Sequence, residues 1–299
     1  MHAGLRGAAQ PLHPTTHRSH SGDAAYRLLT GPLTRYNEER MIPSLSAHLP
    51  YLWLVAASLI AGAMNAMAAG GSFISFPAMI AIGVPPIQAN ATNTVALWPG
   101  QLTSIWALRT DLRRDLLTVV VSAAVLGGIG GAVVLLNTRP RTFMHIVPWM
   151  LLAASLLFWI SSPISRWLRL RSDTPHEPRT PAMVPLFFAL LVVNFYIGYF
   201  GAGAGFLAMS VLSLFGVEEM NAVNSLKVLG ACLANFCAVI TFICGGAIVW
   251  HYCLVSMVAA GIGGYTGAQY ARRINPEVLR AIVVLIGCTM ATYFFWRPS

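Results

Sequence analysis

The sequence predicts an all-α polytopic membrane protein of about eight transmembrane helices, built as two homologous four-span repeats that each carry a glycine-broken half-helix. Three observations predict it. Charged residues are 10% of the 299, and they are absent from 51–108, 116–138, 142–165 and 180–217, while 220–271 holds Lys227 alone. A soluble domain carries roughly 25% charged residues, and a bilayer crossing takes about 20 mostly apolar ones. Second, two of the apolar pieces, 72–83 and 205–216, are too short to cross. Third, these two pieces and their neighbours repeat one another at an offset of 133: Gly70-Gly71-Ser72-Phe73 with Gly203-Ala204-Gly205-Phe206, Gly83-Val84 with Gly216-Val217, and Gly128-Ile129-Gly130-Gly131 with Gly261-Ile262-Gly263-Gly264.

The elements follow in order. Residues 1–48 are polar, hold five arginines and five of the eight histidines, and read as a disordered tail; Met41 is a second candidate start. Apolar segments are expected at 51–69, 72–83, 88–108, 116–137 and 143–162, forming a first repeat over 51–162. A Pro/Arg/Asp-rich linker, 163–182, leads to a second repeat over 183–296, with segments at 183–201, 205–216, 221–244, 248–270 and 277–296. Trp98-Pro99-Gly100 interrupts the third segment, because proline removes a backbone donor and kinks a helix. Trp53, Trp149, Trp159, Trp250 and Trp296 lie near span ends, where an interfacial aromatic belt sits.

Two parities fit this pattern. If each broken segment counts as one crossing, there are eight spans; Arg109, Arg113 and Arg114 then share a side with Arg166, Arg169, Arg171 and Arg179, while Arg272, Arg273 and Arg280 lie opposite, against the positive-inside tendency. If the broken segments return to their own side, each unit makes three crossings and the repeats are inverted. The net charge of +9 reflects these short arginine clusters between apolar blocks, a topology signal and not a nucleic-acid footprint.

A half-length helix in a bilayer needs neighbouring protein or a water-filled cavity to satisfy its backbone. Its exposed N–H groups and positive dipole end make an anion site. Gly70, Gly71 and Ser72, with Gly203, Ala204 and Gly205, therefore place two half-helix N-termini near the bilayer midplane. The Gly128–Gly131 and Gly261–Gly264 runs read instead as close helix packing. After each half-helix comes a span that opens with polar residues, Gln88, Asn90, Thr92, Asn93 and Thr94 in one unit and Asn221, Asn224, Ser225 and Lys227 in the other. Asn224, Lys227, Ala231 and Asn235 share one helical face by spacing. A lysine at the bilayer centre costs about 2.5–3.5 kcal/mol, so Lys227 is read as a ligand contact, with snorkelling or a pair with Glu218 or Glu219 as the alternative. Cys232, Cys237, Cys244, Cys253 and Cys288 read as small packing residues.

At these residues the sequence resembles the TauE/SafE family of sulfite exporter-type anion permeases. The resemblance covers about 51–296 and rests on Ala61–Pro77, Ala89–Gly100, Gly198–Phe206 and Asn221–Lys227. It implies a multi-span permease for a small anion such as sulfite, thiosulfate or an organosulfonate, in the cell membrane. Both breaks depart from the usual triple-glycine pattern, the first as Ala69-Gly70-Gly71-Ser72 and the second by alternating glycine with alanine. The substrate-binding set expected is Asn65, Gly70, Gly71, Ser72, Asn93, Gly203, Gly205, Asn224, Ser225 and Lys227. No metal or cofactor and no nucleic-acid partner is expected; the partners are a small inorganic or organosulfur anion and the lipid bilayer, and a homo-oligomer is left open.

An enzyme is not expected: no segment holds an Asp or Glu apart from Glu277 at the very start of the last one, and neither H-E-x-x-H nor G-x-S-x-G occurs. A cation carrier would lack its carboxylate ligands. A passive anion channel and a non-transporting accessory subunit remain as alternatives.

Overall fold

A computed structural model describes residues 33–68, 70–108, 112–172, 182–217, 219–270 and 276–296. Met1–Leu49 and Pro50–Ser299 are separate compact units; the site lies in the second. Among the described residues the chain is helical throughout, with α1 Leu33–Ala68, α2 Ser72–Ala81, α3 Pro86–Leu97 and α4 Pro99–Leu108, then a 3-10 turn at Arg114–Leu116. There follow α5 Leu117–Asn137, α6 Pro140–Ser172, α7 Met183–Tyr199, α8 Ala204–Leu214, α9 Met220–Cys244, α10 Trp250–Tyr270 and α11 Pro276–Trp296. Two boundaries differ from expectation, because hydropathy marks the embedded part of a helix and not its end. Helix α1 begins at Leu33, inside the segment expected to be a tail, and α6 runs through Ser172, inside the expected linker. Residues 1–32 and 173–181, and Arg109, Arg179, Glu218, Arg272 and Arg273, lie outside the described residues.

Both short helices are present and end alike. After α2, Gly83 adopts φ +91° and Val84 donates its N–H to the Met79 carbonyl; after α8, Gly216 adopts φ +90° and Val217 donates to the Leu212 carbonyl. This is a Schellman-type stop, in which a left-handed glycine lets the chain satisfy the last helical carbonyls. Pro99 splits the third segment into α3 and α4 at Trp98.

Small residues set the helix directions. Along α1 and α10, Tyr51 meets His251 and Tyr252, a side chain at Gly263 would reach the Leu59 carbonyl oxygen at 1.9 Å, and one at Gly267 would reach Ala63 Cα at 2.5 Å. Both numbers rise together, so the two helices run parallel. In α5 and α7, Gly127 abuts Leu191 and Asn194 while Gly131 abuts Phe195 and Tyr199, again parallel. Helix α9 runs with α5, since Gly230 faces Val120, Ala234 faces Gly128 and Gly245 faces Leu136. The turn after α9 reverses the chain: Val249 donates its N–H to Thr92 Oγ1 at 3.0 Å, and α10 then packs along α3 and α4. Helices α6 and α11 are antiparallel, with Ser155 against Gly287 and Trp149 against Phe295. Helix α2 runs with α11, as Gly70, Phe73 and Phe76 meet Val283, Gly287 and Phe294 in turn.

The outer surface is apolar. Val184, Phe188, Val192 and Phe195 of α7 are exposed at successive helical turns, as are Leu254, Val258, Ile262 and Tyr265 of α10. Rows of this kind face hydrocarbon, not water. Among the described residues, His48–Ala66, Arg114–Asn137 and Asn221–Cys244 are long and apolar enough to cross a bilayer, and Ser72–Ala81, Met183–Tyr199 and Ala281–Trp296 are shorter apolar helices. Inside, Phe76, Phe143, Phe200 and Tyr199 form an edge-on aromatic cluster that seats α2 against the end of α7.

Candidate functional site

The first break is closely packed against α1. Gly71 has φ −59°, an ordinary helical value, so it is glycine for want of space: a side chain there would lie 2.3 Å from the Ala61 carbonyl oxygen and 3.1 Å from Asn65 Cβ. The N–H groups of Phe73, Ile74 and Ser75 are taken by the carbonyls of Gly70 and Gly71 at 3.1–3.2 Å. Ser75 Oγ donates to Asn93 Oδ1 and also contacts the Gly71 carbonyl at 3.1 Å, while Asn93 Nδ2 donates to Ser72 Oγ at 3.1 Å. Asn93, 2% exposed, thus ties the first turn of α2 to α3.

The second break is built differently. Gly201 and Gly203 both have positive φ, +78° and +72°, which L side chains rarely adopt. The Tyr196 carbonyl accepts from the N–H of Phe200 and Gly201, at 2.9 and 3.0 Å, and Tyr196 Oη donates to the Ala202 carbonyl at 2.7 Å. Among the described residues no acceptor meets the N–H of Gly203, Ala204 or Gly205. A side chain at Gly203 would come within 3.0 Å of Ala154 Cβ, so α6 backs this turn.

Lys227 lies beside those open amides. A side chain at Gly205 would sit 3.8 Å from Lys227 Cδ. Lys227 is half-buried, as are Asn224, Ala231 and Asn235 on the same face of α9. It forms no ion pair among the described residues, where Arg113–Asp115 is the one pair within reach. A half-buried ammonium is costly unless it is paired or reaches water. Ser225 is buried and donates to the Ala222 carbonyl at 3.0 Å, back into its own helix. Outside the spans, Arg113 Nε donates to Asp115 Oδ1 at 3.1 Å, which holds the guanidinium pKa above its ordinary value.

The two breaks are joined. Asn90 Nδ2 donates to the Tyr199 carbonyl at 3.0 Å, and the rings of Phe76 and Phe200 meet edge-on at 5.6 Å. Where α3 gives way to α4, Trp98 Nε1 donates to the Cys232 carbonyl at 3.2 Å, its ring stacks on Phe236, and Asn235 Nδ2 donates to Gln101 Oε1 at 3.1 Å.

Of the expected residues, the structure brings Asn65, Gly71, Ser72 and Asn93 together at one break and Gly203, Gly205 and Lys227 at the other. Gly70 packs on Val283. Ser75 and Tyr196 were not in the expected set. Their partners are set by the turn geometry, and a serine in an apolar helix or a tyrosine seven residues before a glycine carries no sequence signal of its own.

A family model described as Sulfite exporter TauE/SafE matches residues 54–294. The "Probable membrane transporter protein ORF9" of Sinorhizobium sp is 27% identical over 262 residues, covering 85% of this chain and 95% of that one. The "Probable membrane transporter protein YfcA" of Escherichia coli (strain K12) is 26% identical over 243 residues, 78% of this chain and 85% of that one. A "Probable membrane transporter protein" of Haemophilus influenzae is 27% identical over 244 residues, 79% and 91% of the two chains. No solved structure matches. Fold and relatives together define a helical membrane transporter, not an enzyme. The chain belongs to the sulfite exporter TauE/SafE family.

Proposed function

We propose that this transporter is a permease for a small sulfur oxyanion, sulfite, thiosulfate or an organosulfonate, bound between its two helix breaks by alternating access. The observation that carries the reading is Lys227, half-buried against Gly205 and the open amides of α8 with no carboxylate beside it among the described residues. The partial positive charge of the α8 N-terminus and one full charge meet there, the arrangement that favours an oxyanion. Ser72 and Asn93 supply neutral hydrogen-bond donors from the first break. Asn65, Asn224 and Ser225 complete the polar lining in this reading.

The protein is, in this proposal, a molecule of two inverted repeats in the cell membrane, each making three crossings beside a broken segment that returns to its own side. Helix α1 corresponds to α7, α2 to α8, α3 and α4 to α9, α5 to α10 and α6 to α11. The packing supports it: α5 lies on α7 as α10 lies on α1, α2 packs on α11 as α8 packs on α6, and α5 packs on α9 as α10 packs on α3 and α4. Helices α1 and α10 run opposite to α7 and α5, which is what inversion requires. Inversion also gathers the arginines. The start of α5 and the ends of α6 and α10 then lie on one face, so Arg113 and Arg114 share a side with the arginine-bearing end of α6. The positive-inside tendency makes that side cytoplasmic.

The test is flux. Purified protein in proteoliposomes is loaded with radiolabelled thiosulfate or sulfoacetate, and exchange is followed with and without Lys227→Ala. Saturable flux accelerated by anion on the far side, and lost in the variant, supports a permease. Linear flux without such acceleration is a channel, and no flux with any of these anions leaves an accessory subunit.

A further inference from the structure

We infer that Tyr196 is a positioning residue that aims the amides of the second break at the anion, an inference that rests on the transport reading above. Tyr196 grips the break at both ends. Its carbonyl takes the N–H groups of Phe200 and Gly201, and its hydroxyl takes the Ala202 carbonyl at 2.7 Å. A peptide unit is planar and trans, so its C=O and N–H point in opposite directions. Pinning the Ala202 carbonyl toward Tyr196 therefore turns the Gly203 N–H away from the tyrosine. The left-handed turn at Gly203 then delivers the Ala204 and Gly205 amides next in line, on the side where Lys227 lies 3.8 Å from a side chain built at Gly205.

The tyrosine itself touches no ligand in this arrangement. Its ring leans on Phe200, 6.5 Å between centroids, so the phenyl group has a packing role apart from the hydroxyl. The first break has Ala63 at the corresponding place, 133 residues earlier, so no hydroxyl there pins its turn. The two halves thus differ: the second break carries a pinned turn beside a charge, the first a fixed Ser72–Asn93 arm.

Tyr196→Phe keeps the ring and removes only the hydroxyl. The full chain, purified in detergent, is titrated with sulfite, thiosulfate and sulfoacetate while its melting temperature is followed, with chloride as control. Expected is a wild-type stabilisation whose half-effect concentration rises about three- to tenfold in Tyr196→Phe, the worth of one hydrogen bond. A lower melting temperature with an unchanged half-effect concentration makes Tyr196 merely structural and overturns the inference. Hydrogen exchange on the wild type covers a variant that does not fold. Sulfite-dependent protection of the Gly203–Gly205 amides supports the aimed turn, and stabilisation without that protection overturns it. A folded wild type stabilised by none of the three anions instead refutes the transport reading, and this inference with it.

Discussion

The side-chain amide of Asn90 donates to the carbonyl of Tyr199 at 3.0 Å, joining α3 to the last residue of α7 across 109 positions of chain. Asn90 is 2% exposed. The bond makes the polar start of one span part of the entrance to the other half's break. Asn90→Ala leaves a buried carbonyl without its donor, which costs about 1–3 kcal/mol. The expected outcome is a melting temperature in detergent several degrees lower, while an unchanged one contradicts the tie.

The glycine runs make a sharper test of packing. Gly263 faces the Leu59 carbonyl oxygen with room for no side chain, whereas Gly261 two residues earlier has open space around it. Gly261→Ala is expected to leave folding within about 0.5 kcal/mol of wild type. Gly263→Leu is expected to abolish the α1–α10 contact, since overpacking a backbone seam forces the helices apart. Monodispersity on size-exclusion chromatography separates the two, and equal behaviour of both variants contradicts the seam.

At the first break, Ser75 and Asn93 act as one unit. A double-mutant cycle of Ser75→Ala and Asn93→Ala is expected to show a coupling of about 0.5–3 kcal/mol, the range for residues in one hydrogen-bond network. Thermal or denaturant melting of the four proteins measures it. Strict additivity would mean that the Ser75–Asn93 contact contributes nothing.

Inversion predicts sidedness. Ala81 and Leu214 are exposed at the corresponding ends of α2 and α8. In a cysteine-free background, Ala81→Cys and Leu214→Cys are expected to react with a membrane-impermeant maleimide from opposite faces, Leu214→Cys from the cytoplasm. Labelling of both from the same face contradicts the inverted arrangement.

How much of this was legible in the sequence depended on the kind of signal. Lys227 and the two breaks were legible because a charge and paired glycines in an apolar chain are costly and therefore conspicuous. The proline at 99 announced the α3–α4 division. The φ values separate what the sequence could not: Gly201 and Gly203 are glycine for their left-handed backbone, Gly71 for its closeness to Ala61. Ser75, Asn90 and Tyr196 owe their roles to partners 4 to 109 residues away, a relation that composition and periodicity do not encode. Helix ends at Leu33 and Ser172 lie beyond the apolar segments because a helix is free to continue past the bilayer that its hydropathy reports.

The central claim is that Lys227 and the second break hold the substrate's charge. The most direct measurement is anion-dependent stabilisation of the wild type beside Lys227→Ala and Lys227→Arg, since a ligand that binds only the folded state raises its stability by mass action. The account predicts a shift with at least one of sulfite, thiosulfate and sulfoacetate, lost in a folded Lys227→Ala and kept in part by Lys227→Arg. An equal shift in wild type and Lys227→Ala would contradict it, placing the anion elsewhere and leaving Lys227 a snorkelling residue.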